Sequence, residues 1–156
     1  LEHRRQRQMC IRDRCIFNLH KITKNSSPMK YKIEAVKKFH EAFKIGYRTS
    51  PKANLGNTKN KLRFDLMKEE NEEYFEAAQS NDLVEVADAL GDMLYILCGT
   101  IIEHGMQHKI EDIFNEIQRS NMSKLGPDGK PIYRSDGKVL KGPKYFKPNI
   151  KEILEK

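Results

Sequence analysis

The sequence predicts an all-α protein: an up-and-down bundle of four main helices, a C-terminal arm rich in Gly, Pro and Lys, and a short terminal helix. Three observations carry that expectation. Apolar residues recur at helical spacing in four successive segments. The links between neighbouring segments are short, which favours antiparallel packing. After Leu125 the chain changes to "GPDGKPIYRSDGKVLKGPKYFKPNI", where turn residues replace periodicity.

The first helix is expected over Met29 to Phe43, with Ile33, Val36, Phe39 and Phe43 on one face and Gly46 beyond its end. "GYRTSPKANLGNTKN" is a loop by composition. The second helix runs from about Lys59 to Gln79. "SND" is a tight connection in which Asn81 or Asp82 can cap a third helix over Leu83 to His104, ended by Gly105. The fourth covers Lys109 to Ser123, with Ile110, Ile113, Phe114 and Ile117 on one side. In the arm, two "DGK" turns flank "PIYRS", which predicts a short hairpin, or an arm lying on the bundle or on a partner subunit.

A formal net charge of +7 suggests a nucleic-acid partner until its distribution is considered. Residues 1–28 hold seven Lys/Arg and two acids, show no amphipathic stripe, and contain "RQRQMCIRDR", which is similar to translated sequencing-adapter sequence. They read as a non-native or disordered extension, with residues 29–156 as the domain and a mitochondrial presequence as the competing reading. Residues 29–156 then hold 22 basic and 20 acidic residues, a net charge of only +2. No apolar run approaches the ~20 residues of a membrane span, and neither a membrane nor a nucleic-acid partner is expected. Cys98, inside an apolar helical run, reads as a core thiol in a reduced, cytoplasmic setting.

Nine carboxylates crowd into "KEENEEYFEAAQSNDLVEVADALGD", Lys68 to Asp92. A Glu-rich helix is ordinarily a solvated face, so the direction of the acids matters. At helical spacing Glu69, Glu73 and Glu76 continue the side that carries Leu62 and Leu66, with Glu70 flanking them. On the next helix Glu85, Asp88 and Asp92 line up with Ala89 and Ile96. A capping box of Asp82 and Glu85 explains only Glu85. Two antiparallel helices would therefore bring five or six carboxylates together near their turn, where protonation or cations must neutralise them. Hard oxygen donors of this kind suit Mg²⁺ or Mn²⁺, particularly where phosphate oxygens complete the shell. A ferritin-like di-iron site needs Glu-x-x-His, which the chain lacks. His20, His40, His104 and His108 fit solvated or capping roles better than ligation.

Glu69-Glu70-Asn71-Glu72-Glu73, then Glu85-Val86-Ala87-Asp88 and "DMLYIL", resemble the MazG-like all-α nucleoside triphosphate pyrophosphohydrolases. "SNMSK" (Ser120 to Lys124) and "DGKVLKGPKY" (Asp136 to Tyr145) resemble the branch with dimeric, dUTP-hydrolysing members. The resemblance spans Lys30 to Ile150. It implies Mg²⁺ or Mn²⁺ held by Glu69, Glu70, Glu73, Glu85 and Asp88, and attack of water on the α-phosphorus with release of pyrophosphate, one cluster carboxylate accepting the proton; Glu69, beside Glu70 and Glu73, is the expected base. Asp92, directly before "MLYIL", competes with Asp88 for the family's aspartate position. The resemblance also implies a homodimer or higher homo-oligomer.

An acid cluster repels a triphosphate unless cations compensate. From Lys124 to Lys151 the arm has eight basic and two acidic residues. Lys124, Lys138 and Lys141 are the expected phosphate-binding lysines, with Asn121 on phosphate or sugar, Arg63 a further candidate, and Tyr145 stacking on a base or anchoring the arm. Two other functions fit parts of the pattern. Phosphoribosyl-ATP pyrophosphohydrolase shares the helical carboxylates but is disfavoured by the long arm. A nucleic-acid or protein adaptor is disfavoured by the near-neutral domain charge.

Overall fold

The computed structural model describes residues 27–156, so the expectation for the N-terminal extension falls almost wholly on residues 1–26, outside the described residues. Five helices follow in order: α1 (Pro28–Ala42), α2 (Asn57–Gln79), α3 (Leu83–Glu103), α4 (Ile110–Met122) and α5 (Ile150–Glu155). Helix α1 begins where Ser27 accepts a hydrogen bond from the Lys30 amide and Pro28 takes the first turn. Asn81, at φ 55°, turns the chain out of α2. Asp82 then caps α3 by accepting from the amides of Val84 and Glu85.

The tight turn makes α2 and α3 antiparallel, and they form the most extensive helix pair; α1 packs on α3. The apolar core lies on the α1 side of α3: Ile33 and Val36 meet Cys98, Ile101 and Ile102, with Met29, Met106 and Ile110 against them. Burial raises the Cys98 thiol pKa, as expected of an inert core residue.

The inward face of α2 differs from the expected one. Leu62 is 51% exposed, whereas Arg63 and Ala77 are buried. The helix is turned by about one residue relative to its Leu62–Leu66 stripe, so a cation enters the interior. Arg63 donates to Thr100 Oγ1 and to the Ile96 carbonyl, and its Nη1 lies 3.5 Å from the buried Glu103 carboxylate. This packing needs a glycine at 99, because a Cβ there would stand 2.9 Å from Arg63 Nη2 and 3.1 Å from His40 Nε2. His40 is itself buried and not solvated; its Nδ1 donates to the Gly46 carbonyl.

The loop between α1 and α2 is strapped to the end of α3. The Arg48 amide donates to Ile102 O and the Lys52 amide to His104 O, while the His104 ring and the Gln107 amide donate back to the Lys52 and Arg48 carbonyls. Gly105 lies directly beneath Ser50, where a Cβ would collide with the Ser50 carbonyl.

Helix α4 joins the core through Ile110 and Ile113, then pairs with α5. Only part of its expected apolar face is covered: Ile110 and Ile113 pack inward, whereas Phe114 is 62% and Ile117 41% exposed. The arm folds back on α4: Ser120 Oγ donates to Phe146 O, Arg119 lies over the Phe146 ring, and the Asn149 amide donates to Glu116. Its hairpin is minimal, a single bridge between Tyr133 and Val139, with Gly129 and Gly137 supplying the positive φ of the two Asp-Gly turns. Among the described residues no helix is long and apolar enough to cross a membrane.

Candidate active site

Glu70 is the centre of the acid cluster. It is half-buried on α2, and it feels Asp92 and Asp88 across the helix pair as well as Glu73 and Glu69 on its own helix. Burial is the largest cause and the four negative charges add to it in the order Asp92, Glu73, Glu69, Asp88; together they push the Glu70 carboxyl up to about 7. Asp92, also half-buried, is raised first by burial and then by Asp88.

Helix register explains which acids meet. Arg63 reaches Thr100, and seven residues further along α2 Glu70 faces Asp92. A seven-residue step is nearly two turns, so Arg63, Glu70 and Ala77 share one face of α2. Asp92 and Asp88, one turn apart on α3, both act on Glu70, with Asp92 the stronger and less exposed. Glu85 is half-buried further towards the turn and is not among the charges that raise Glu70. Glu76 is exposed, and Glu72 turns outward to Lys68.

Among the described residues, no three His, Cys, Asp or Glu side chains are drawn together tightly enough to hold a metal ion. The carboxylates are close enough to repel but do not form a closed ligand shell. Their chemistry still fits a hard divalent cation: all are oxygen donors, several are partly desolvated, and their excess charge is registered at Glu70.

The expected substrate residues sit on other elements. Asn121 and Lys124 are at the end of α4, where Lys124 Nζ donates to Asn121 Oδ1 at 2.8 Å. Lys141 Nζ lies 4.4 Å above the Tyr145 ring, and Lys138 is exposed beside the hairpin turn. Arg63 is committed to α3 and Glu103, away from any open phosphate position. Sequence reasoning missed Glu103, Lys59 and Arg48. Lys59 Nζ and Glu103 Oε2 are 3.2 Å apart at the wall of a cavity of about 200 Å³, lined also by Gly46, Tyr47, Arg48 and Leu55. The only sequence signal was an acid closing the strongly apolar α3.

A search of curated proteins returned no match. Among solved structures, the chain is similar to a candidate NTP pyrophosphohydrolase from Exiguobacterium sp. 255-15, at 25% identity and a TM-score of 0.46, over 83% of this chain and 96% of that one. A family model described as phosphoribosyl-ATP pyrophosphohydrolase matches residues 36–121, from the middle of α1 through α4 and including every carboxylate of the cluster. With more than half of its length matched, the chain belongs to the phosphoribosyl-ATP pyrophosphohydrolase family.

Proposed function

We propose that the protein is a metal-dependent pyrophosphohydrolase that cleaves a nucleoside triphosphate, dUTP or a related pyrimidine deoxynucleotide, to the monophosphate and pyrophosphate. The observation that carries this reading is the facing of Glu70 on α2 by Asp92 and Asp88 on α3, with Glu73 and Glu69 adding to the repulsion on Glu70 from its own helix. Glu70, Glu73, Asp88 and Asp92 would hold Mg²⁺ or Mn²⁺, with Glu69 and Glu85 at the edge, and the ion would supply positive charge to the phosphate oxygens and acidify a water. Glu69, Glu70 and Glu73 each have three rotatable side-chain bonds, so their oxygens can turn inward without moving a helix. A Glu69 carboxylate oxygen accepts the proton of the attacking water. A new bond forms from water oxygen to the α-phosphorus, and the bond to the bridging oxygen of the leaving pyrophosphate breaks.

Asn121, Lys124, Lys138 and Lys141 offset the charge of the phosphates, and Tyr145 offers a stacking face. They are anchored on α4 and the arm, whereas the acids belong to α2 and α3, so we read the active species as a homodimer in which an arm serves the neighbouring copy. Exposed apolar residues on α2, α3 and α4 support this reading: Leu83 is 79% and Val84 75% exposed, with Phe64 and Phe114 above 60%. Sedimentation is expected to give twice the chain mass for the native protein, and a monomer for Leu83→Glu/Val84→Glu; a native monomer would refute the shared site.

Phosphoribosyl-ATP is the second substrate reading, and it is favoured by the family match. A nucleotide panel with products identified, run with Mg²⁺ and with chelator, tests both. Pyrophosphate and monophosphate are expected only with metal, and Glu73→Ala is expected to lower kcat/KM by on the order of 10²-fold. Full activity in that variant would sink the proposed site.

A further inference from the structure

The segments Ser120 to Lys124 and Asp136 to Tyr145, far apart in the sequence, meet at the end of α4. Ser120 is buried there, and its Oγ donates to the Phe146 carbonyl at 2.8 Å. The Phe146 amide donates to Ser123 Oγ at 3.2 Å, and that hydroxyl donates in turn to the Ser120 carbonyl at 2.7 Å. Two serines one turn apart thus hold both backbone groups of Phe146, and both hydroxyl protons are used. Four residues earlier in the arm, the amide of the buried Gly142 donates to the Lys124 carbonyl at 2.9 Å. This glycine serves closeness of approach: a Cβ would stand 2.2 Å from the Leu125 carbonyl oxygen and 2.8 Å from that of Lys124. A third point of attachment is the Asn149 amide on Glu116 at 2.7 Å, so the arm has one register on α4.

That register places the cations. One hydrogen bond joins the Lys124 carbonyl to the residue after Lys141, so the Cα atoms of the two lysines are no more than about 8 Å apart. The Lys124 ammonium rests on a neutral amide, Asn121 Oδ1 at 2.8 Å, and the Lys141 ammonium on the Tyr145 ring at 4.4 Å. Neither of these partners neutralises the charge it holds, so the pair retains its attraction for a multiply charged anion. In a freely moving arm, gathering the lysines around phosphate oxygens would cost backbone and side-chain entropy at the moment of binding. An arm already fixed at Gly142 and Phe146 avoids most of that cost.

We propose that Ser120, Ser123 and Gly142 are positioning residues for substrate binding: they lock the arm to α4 so that Lys124 and Lys141 form one preset cationic face for the phosphates. The identity of the anion as a nucleotide rests on the function proposed above; the lock and the affinity of the paired lysines for an inorganic polyanion do not. None of the three residues touches the substrate. They act by holding two lysines together before it arrives, so their loss shows in binding and not in the chemical step.

The test compares the full native chain with Gly142→Ala, Ser123→Ala and Ser123→Thr by three measurements: hydrolysis of dUTP and of phosphoribosyl-ATP with Mg²⁺, titration of inorganic pyrophosphate without metal, and amide hydrogen exchange. Both alanine variants are expected to raise KM about tenfold with kcat within about twofold, and to weaken pyrophosphate binding by a similar factor. Exchange at the Phe146 amide should quicken in both while the α3 amides stay protected, which separates a loosened arm from a misfolded bundle. Ser123→Thr keeps the hydroxyl and should restore native KM and native exchange. Faster exchange at Phe146 with KM and pyrophosphate affinity unchanged would overturn the proposal, since the three residues would then hold the arm without serving the ligand. Unchanged exchange in both alanine variants would overturn the lock itself. If neither nucleotide is cleaved and the alanine variants still lose pyrophosphate affinity, the proposed function falls and the positioning role stands.

Discussion

Glu70→Gln is expected to make the metal-free protein more stable above pH 7 while removing pyrophosphate release. The sign follows from the folded-state pKa of Glu70, raised from 4.5 to about 7 by burial and by Asp92, Glu73, Glu69 and Asp88. The stability this carboxyl contributes is full below about 4.5, its unfolded value, and is lost as pH rises through about 7. Asp92 is also raised and acts in the same direction. Thermal melts in chelator should fall from pH 5 to pH 8 for the native chain, and fall less for Glu70→Gln. The difference at pH 8 is on the order of 1–2 kcal/mol once solvent screening of a partly exposed group is allowed for. Added Mg²⁺ should raise the native melting temperature by mass action and raise that of the variant less. The same substitution removes a central oxygen donor, with an expected loss of about 10²-fold or more in kcat/KM. Parallel pH slopes for the two proteins would show that Glu70 is not the group on which the repulsion falls.

The second large effect is structural. Arg63→Met is expected to cost about 3–5 kcal/mol, because it removes a partner from a buried carboxylate. Glu103 would then keep only Lys59, which is partly exposed, and Thr100 Oγ1 and the Ile96 carbonyl would lose their guanidinium donor. Urea unfolding measures the loss. The double variant Arg63→Met/Glu103→Leu should recover most of it, since removing both charges also removes the desolvation penalty. No recovery would mean that the arginine's packing over Gly99, and not its charge, holds this seam.

Both predictions concern the face that α2 turns inward, and that face shows how far the sequence could be read. Four helices and most of their ends were legible because capping and turn residues act locally: Asn81, Asp82 and Gly105 mark boundaries without help from the rest of the chain, whereas the Ser27 cap of α1 was not read. That acids of α2 would face acids of α3 was legible too, because a three-residue link leaves two helices little choice but to run antiparallel; that Glu76 and Glu85, nearest the turn, stand outside the set acting on Glu70 was not. The rotation of α2 was not. Leu62 and Leu66 promised an apolar inward stripe, yet Arg63 is buried, because Gly99 and His40 leave space that a guanidinium fills and Glu103 supplies its counter-charge. Those partners lie 23 to 40 residues away along the chain, beyond the reach of any periodicity in α2.

The sequence by itself determined the all-α class, the order of the helices and the antiparallel run of α2 and α3, since each depends on neighbours within a few residues. Only the tertiary structure decided that Asp92 stands nearer in effect to Glu70 than Asp88 does, that Arg63 serves the interior and not a phosphate, and that Lys59, Arg48 and Glu103 line one cavity. Such features depend on the rotation of one helix against another. Packing summed over the whole interface sets that rotation, because each side chain settles where its partners on the facing helix leave room and opposite charge.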